Sequence, residues 1–252
     1  MIIEYHRPKK LDEAVALIAR PAPRTVPLGG GTVLNRPGRE PVAVVDLQAL
    51  GLNTLRKAGK ELHIGATVSL QALADFPDLP EALIRALKLE ANYNLRQLAT
   101  VAGTLVACDG RSAFATVLLA LDAHLILLPG EEEIGLGNLL PVREETLRGR
   151  LITQITIPLQ AKLAFETVAR TPADRPLVCA ALTQWASGRT RLSLGGTGKA
   201  PLLAMDGNEP GGIEAAAREA FSGAADEWAT AEYRAVTAAT LAKRCLDILQ
   251  PA

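Results

Sequence analysis

Neither sign of charge is in excess in this 252-residue sequence: 27 basic side chains stand against 27 acidic ones. A nucleic-acid partner normally demands a basic excess, so the balance argues against polyanion binding. Cysteine is scarce. Cys108, Cys179 and Cys245 stand far apart with no CxxC pair, which excludes a disulfide framework and leaves no zinc or iron–sulfur cradle within this chain alone. No run reaches the roughly 18 consecutive apolar residues needed to cross a bilayer. Met1 to His6 lacks the basic-then-apolar pattern of a signal peptide, so a cytoplasmic location is expected. No self-similarity at a period of about 20 to 50 residues marks a repeat architecture.

What is present is apolar residue in quantity. With 48% hydrophobic and 21% charged residues, the chain can bury a substantial core and is long enough for more than one domain. The first segment reads as a βαβ-like unit. Leu11, Val15 and Ile18 recur at helical spacing, Thr25 to Leu28 leads into glycines, and Val42 to Leu47 is a short apolar run of the kind that forms a buried strand. Lys10 stands where a capping Ser or Thr would start that helix better. A second α/β segment follows, with strands predicted at 61–65, 124–128 and 151–157 and helices at 69–74, 81–91 and 114–121. From about Ala161 the pattern changes to three predicted strands, 165–170, 178–185 and 190–194, with Ser187-Gly188 as the hairpin signal. Two helices close the chain, and the last places Tyr233, Val236, Leu241, Cys245, Ile248 and Leu249 on an apolar face suited to packing on a sheet. The element order predicts an α+β protein with a boundary near residue 160.

Two glycine-bearing turns carry the chemistry. Gly29-Gly30-Gly31-Thr32-Val33 and Thr100-Val101-Ala102-Gly103-Thr104 could each bare consecutive backbone N–H groups to an anion, because a residue without a Cβ lets the main chain approach a phosphate. Neither has the GxGxxG spacing of the dinucleotide fold, and neither has the Lys-Ser/Thr of a P-loop. Together, each beside a threonine hydroxyl, two such turns could grip one pyrophosphate. Other polar residues read more simply: His6, His63 and His124 are scattered, Glu131 to Glu133 is a solvated loop, and Arg170 with Asp174 is a structural pair at a strand turn.

The chain resembles the flavoprotein (medium) subunits of the molybdenum hydroxylases, the group that includes carbon monoxide dehydrogenase and xanthine dehydrogenase. The likeness rests on Leu11 to Ile18, the triple-glycine turn, Leu62 to Val68, the Asn94 to Gly103 run, Leu118 to Ala123, Leu151 to Pro158, Arg170 to Val178, Ser193 to Gly196 and Ala231 to Arg234, in the expected order. It implies an FAD-binding domain at 1–160 made of two α/β subdomains, about 1–55 and 56–160. A C-terminal domain at 161–252, with a three-stranded antiparallel sheet and helices, is implied to follow. It further implies FAD as cofactor, with the diphosphate on Gly29, Gly30, Gly31, Thr32 and Val33 and on Thr100, Val101, Ala102, Gly103 and Thr104. An aspartate that the family places before the long helix is here Ala113, which leaves its work to Ser112 or to Asp109, and Ile152 would neighbour the flavin ring.

The implied function is electron transfer within a complex. An iron–sulfur small subunit would deliver electrons, NAD or another acceptor would receive them, and hydroxylation would occur at the molybdenum cofactor of a large subunit. The family's second turn usually reads Thr-Ile-Gly-Gly-Asn, so Ala102 and Thr104 depart from it; if the replaced glycine needs a positive φ, alanine there costs on the order of 1 kcal/mol, and the second turn is expected to be the weaker half. Two alternatives stay open: a non-catalytic subunit of the same fold that has lost its flavin, and a self-contained FAD-dependent reductase similar to the enolpyruvyl-glucosamine reductases. The second would need a proton donor and substrate-binding charges beside the ring, and no such constellation stands out.

Overall fold

The computed structural model describes residues 1–34 and 40–250. In chain order the elements are β1 (Ile2–His6), α1 (Leu11–Ala19), β2 (Thr25–Leu28), β3 (Val42–Asp46), β4 (Leu55–Ala58), β5 (Glu61–Gly65), α2 (Leu70–Ala74), α3 (Glu81–Glu90), α4 (Tyr93–Leu98), α5 (Val101–Ala107) and α6 (Ala113–Ala120). They continue with β6 (His124–Leu128), β7 (Glu132–Gly135), α7 (Leu136–Thr146), β8 (Leu151–Pro158), β9 (Lys162–Val168), β10 (Val178–Gln184), β11 (Thr190–Gly195), β12 (Leu202–Gly207), α8 (Ile213–Ala220) and α9 (Ala231–Leu249). The chain divides into two compact units, and neither is a single stretch of sequence.

The first unit comprises Met1–Asp75, Tyr93–Ala107 and His124–Thr156. It holds a three-stranded sheet in the order β1-β3-β2 and a five-stranded sheet in the order β4-β5-β8-β6-β7. Both pairings of β3 are parallel, and all five of its residues, Val-Ala-Val-Val-Asp, are buried. The four apolar residues in succession are the expected composition of a central parallel strand covered on both faces, and Asp46 closes it with a buried carboxylate. Helix α1 covers the small sheet through Ala14 and Ile18, which join Val45, Leu47 and Leu151 in one cluster. Its start is weakly capped, for Lys10 makes no side-chain capping bond.

The second unit comprises Phe76–Asn92, Cys108–Ala123 and Ile157–Ala252. Its antiparallel sheet has four strands in the order β12-β11-β10-β9, one more than the sequence predicted. The added strand, β12, is a half-exposed edge between Pro201 and Asn208, so it shows no clean apolar alternation. Every residue of α6 is buried, and the helix packs against α3 as well as against β10 and β11. This contact explains why α3 and α6 group with residues beyond 157, whereas a cut at 160 would have left both with the N-terminal domain. The β10–β11 hairpin turns through Gly188, whose φ of 89° suits glycine.

Candidate functional site

The three parallel strands of the first unit end on a common edge. In open α/β sheets this carboxyl edge is where ligands bind. Leu28, the last residue of β2, lies in register with Asp46, the last of β3, and the chain then leaves the sheet as Gly29-Gly30-Gly31-Thr32-Val33. Gly31 has a φ of 68°. Among the described residues, no backbone N–H from Gly29 to Val33 has a hydrogen-bond partner. Successive unsatisfied amides of this kind suit an anion.

The two segments singled out in the sequence do come together. A Cβ on Gly29 would lie 2.7 Å from the Thr100 hydroxyl, and one on Gly30 would lie 1.7 Å from the Leu98 carbonyl oxygen. The glycines therefore serve close backbone packing as well as any ligand.

The second segment is not the open turn that was expected. Thr100 forms an isolated bridge with Ser69, and helix α5 begins at Val101. Its first amides are all in use: Val101 N–H donates to Val68 O at 2.9 Å, Ala102 to Ala66 O at 3.3 Å and Thr104 to Thr100 O at 2.8 Å. Gly103 N–H donates to the Thr100 hydroxyl at 3.1 Å, while the Thr104 hydroxyl donates back to Thr100 O at 2.9 Å. Alanine at 102 favours helix where glycine would favour a turn, and Thr100 satisfies the helix start in the manner of an N-cap.

The remaining expected site residues are occupied in the core. Ser112, fully buried in the second unit, caps α6 by accepting from Ala115 N–H at 3.0 Å and donates to Glu90 at 2.8 Å. Glu90 also accepts from Phe114 N–H at 3.0 Å. Burial is the main reason its carboxyl is held above the usual range, against the lowering effect of these two donors. Ile152 is buried in β8 of the first unit, opposite Leu127.

Sequence reading passed over a polar cluster on the carboxyl edge. The buried Asp46 carboxylate accepts from the Tyr5 hydroxyl, and from Gln48 N–H at 2.9 Å. The bond to Asp46 raises the Tyr5 phenol above its ordinary value. Arg7, the first residue past β1, places Nε 3.5 Å from Asp46 Oδ2. The available signal was a cation directly after a strand in a βαβ unit.

Against known proteins, the family described as FAD binding domain in molybdopterin dehydrogenase matches residues 1–160. The chain belongs to this family. Its likeness to curated relatives extends further along the sequence. It is 30% identical over 209 residues to the uncharacterized protein YgfM of Escherichia coli K12, covering 82% of this chain and 79% of that protein. It is 28% identical to the carbon monoxide dehydrogenase medium chain of Afipia carboxidovorans over 203 residues, covering 73% of this chain and 69% of the other. The fold matches a carbon monoxide dehydrogenase structure from Hydrogenophaga pseudoflava with a TM-score of 0.83 at 23% identity, over 98% of this chain and 96% of that one.

The match to the FAD binding domain thus spans both glycine-bearing segments. The Gly29–Val33 turn suits a diphosphate, having unpartnered amides and no side chain at its first three positions. The start of α5 does not supply amides in this conformation. Among the described residues there is no His, Cys, Asp and Glu group able to hold a metal ion, and no helix is long and apolar enough to cross a membrane.

Proposed function

We propose that this chain is the flavoprotein subunit of a molybdenum hydroxylase complex in the cytoplasm. It would take electrons from an iron–sulfur small subunit and pass them to NAD or another acceptor, while a molybdenum-cofactor large subunit carries out the hydroxylation. The row of unpartnered amides at Gly29–Val33, on the carboxyl edge of a parallel sheet in a chain of this family, carries the reading. Bound FAD would supply the redox chemistry, and the protein supplies binding, orientation and electrostatics. Gly29, Gly30, Gly31, Thr32 and Val33 hold the diphosphate. Thr100, Val101, Ala102, Gly103 and Thr104 form the wall against which that turn packs, with Thr100 spacing the two segments. Ser112 and Ile152 act by shaping the folded units.

The test is reconstitution of the purified chain, followed by flavin absorbance. FAD should be retained in preference to FMN, because a row of amides from Gly29 to Val33 suits a diphosphate better than a monophosphate. Thr32→Asp should abolish retention without changing the melting temperature, since a carboxylate beside the amides repels the phosphates. Full retention in that variant overturns the site. Co-purification with an iron–sulfur protein and a larger molybdenum-cofactor protein tests the complex, and recovery as a lone chain overturns it.

The committed amides of α5 favour one second reading, a non-catalytic subunit of the same fold that has lost flavin. A correctly folded chain that binds neither FAD nor ADP would establish it.

A further inference from the structure

Anion sites made of amides alone carry only partial charges, and a diphosphate brings full ones. The carboxyl edge of the small sheet also carries a formal negative charge at Asp46, level with the residue that precedes Gly29. Without compensation this carboxylate would repel what the turn is shaped to hold. His6 is level with Val45, so Arg7 follows at the level of Asp46 on one side while Leu28 lies at that level on the other. Arg7 and the start of the turn are thus about two strand spacings apart, roughly 10 Å, a gap that a diphosphate and an extended arginine side chain can bridge.

The side chain of Arg7 is held yet still available. Its Nε faces Asp46 at 3.5 Å, its side chain is 57% exposed, and among the described residues its terminal nitrogens donate no hydrogen bond. The Asp46 carboxylate, for its part, is already served by the Tyr5 hydroxyl and Gln48 N–H, so it does not need the whole guanidinium. Tethering through Nε leaves the forked end of Arg7 free, and that fork matches the oxygen pairs of a phosphate in a bidentate manner.

We propose that Arg7 is a diphosphate-binding residue, supplying from the end of β1 the full positive charge that the Gly29–Val33 amides and the committed amides of α5 do not. The proposal rests on the FAD reading above and adds to it a residue from a different strand. Asp46 is then a positioning residue, which fixes the direction of Arg7 and is neutralised by it.

Titrations of the full-length apo-protein with FAD and with ADP, across a range of salt, test this. Arg7→Ala should weaken both ligands about tenfold to a hundredfold, as expected for loss of a hydrogen bond between charged groups, and should flatten the salt dependence. Arg7→Lys should recover part of the affinity. Wild-type affinity in Arg7→Ala overturns the proposal. The double variant Arg7→Ala with Asp46→Asn separates contact from neutralisation: affinity that stays low supports contact, and affinity fully restored overturns it. Unliganded melting temperatures confirm that each variant folds. If the parent chain binds neither ligand, the FAD reading itself fails and this proposal falls with it, whereas a parent that binds alongside an indifferent Arg7→Ala sinks only the role of Arg7.

Discussion

The carbonyl oxygen of Leu98 fills the space that a side chain on Gly30 would need, 1.7 Å from the place of its Cβ. The clash is with backbone at the end of α4, which cannot rotate away. Gly30→Ala is therefore expected to destabilise the folded protein by about 3 kcal/mol, at the upper end of overpacking effects, with or without ligand. Chemical denaturation of the apo-protein measures this. A Gly30 variant as stable as the parent would mean that α4 shifts to admit it. Loss of flavin in such a variant reports packing as much as phosphate contact, which is why Thr32→Asp is the cleaner probe of the turn.

Much of the architecture was legible because its burial follows simple periods. The Val42 to Asp46 run, buried at every residue, could only be a central strand, and the glycine turn after β2 follows from the same βαβ pattern. Helix α9 was legible as a helix and in part of its face, for Leu241, Cys245 and Leu249 are buried as read. Tyr233, Val236 and Ile248, read as core, are 44%, 46% and 54% exposed, while Ala235, Ala238, Ala239 and Ala242 are buried. Small alanines allow close approach to the sheet, and hydrophobicity alone does not rank them above tyrosine or isoleucine. The buried Arg234 was likewise invisible, since a charged residue enters a core only when its partners are brought from elsewhere in the chain. The helical start of α5 was missed because the segment was read through its glycine, although Ala102 and the hydroxyl of Thr100 already favoured a capped helix.

Arg234 is a tie, each of whose three guanidinium nitrogens donates to a neighbour. Nη2 donates to both Asp226 oxygens at 2.8 and 2.9 Å, Nη1 to Ala224 O at 2.7 Å and Nε to Leu177 O at 3.2 Å. Arg234→Met keeps the volume but leaves the carbonyls of Leu177 and Ala224 without their donor, while the part-exposed Asp226 keeps the amides of Trp228 and Ala229; the expected cost is about 1–3 kcal/mol. Burial pushes the Asp226 carboxyl upward, but Arg234 and the amides of Trp228 and Ala229 outweigh it and hold the group below its ordinary value. This contribution is present above the ordinary value and lost as pH falls through the lowered one. Acid unfolding should accordingly show a smaller pH dependence in the variant than in the parent. Equal stability of the two proteins at neutral pH would remove the tie from the account.

Glu90 has the opposite sign. Its carboxyl is raised, chiefly by burial, so the folded state binds the proton more tightly than the unfolded chain does. Stability is then greatest with the group protonated and declines as pH rises above the ordinary value of 4.5 toward the raised one. Glu90→Gln keeps an oxygen to accept from Ser112 and Phe114 while removing the charge. Denaturation curves of parent and variant should differ least at acid pH, with the variant gaining on the parent as pH rises. A variant that instead loses ground toward neutrality would show that the ionised carboxylate is stabilising where it stands.

Ala102→Gly with Thr104→Asn places at the start of α5 the residues usual in the family's second turn. If Ala102 occupied a left-handed backbone position, glycine would relieve strain and tighten FAD. It does not: the described non-glycine residues with positive φ are Asp78, Asp122 and Glu131, and Ala102 lies in the first turn of α5 with its amide bonded to Ala66 O. Glycine there costs about 1 kcal/mol relative to alanine in a helix, and asparagine at 104 gives up the hydroxyl bond to Thr100 O. The double variant should therefore lose about 1 kcal/mol or more in denaturation of the apo-protein, with no gain in affinity when FAD binding is followed by flavin fluorescence. A tenfold gain would show the reverse, that the first turn of α5 unwinds on binding and exchanges its internal hydrogen bonds for phosphate oxygens, so that the easier unwinding granted by glycine appears as affinity.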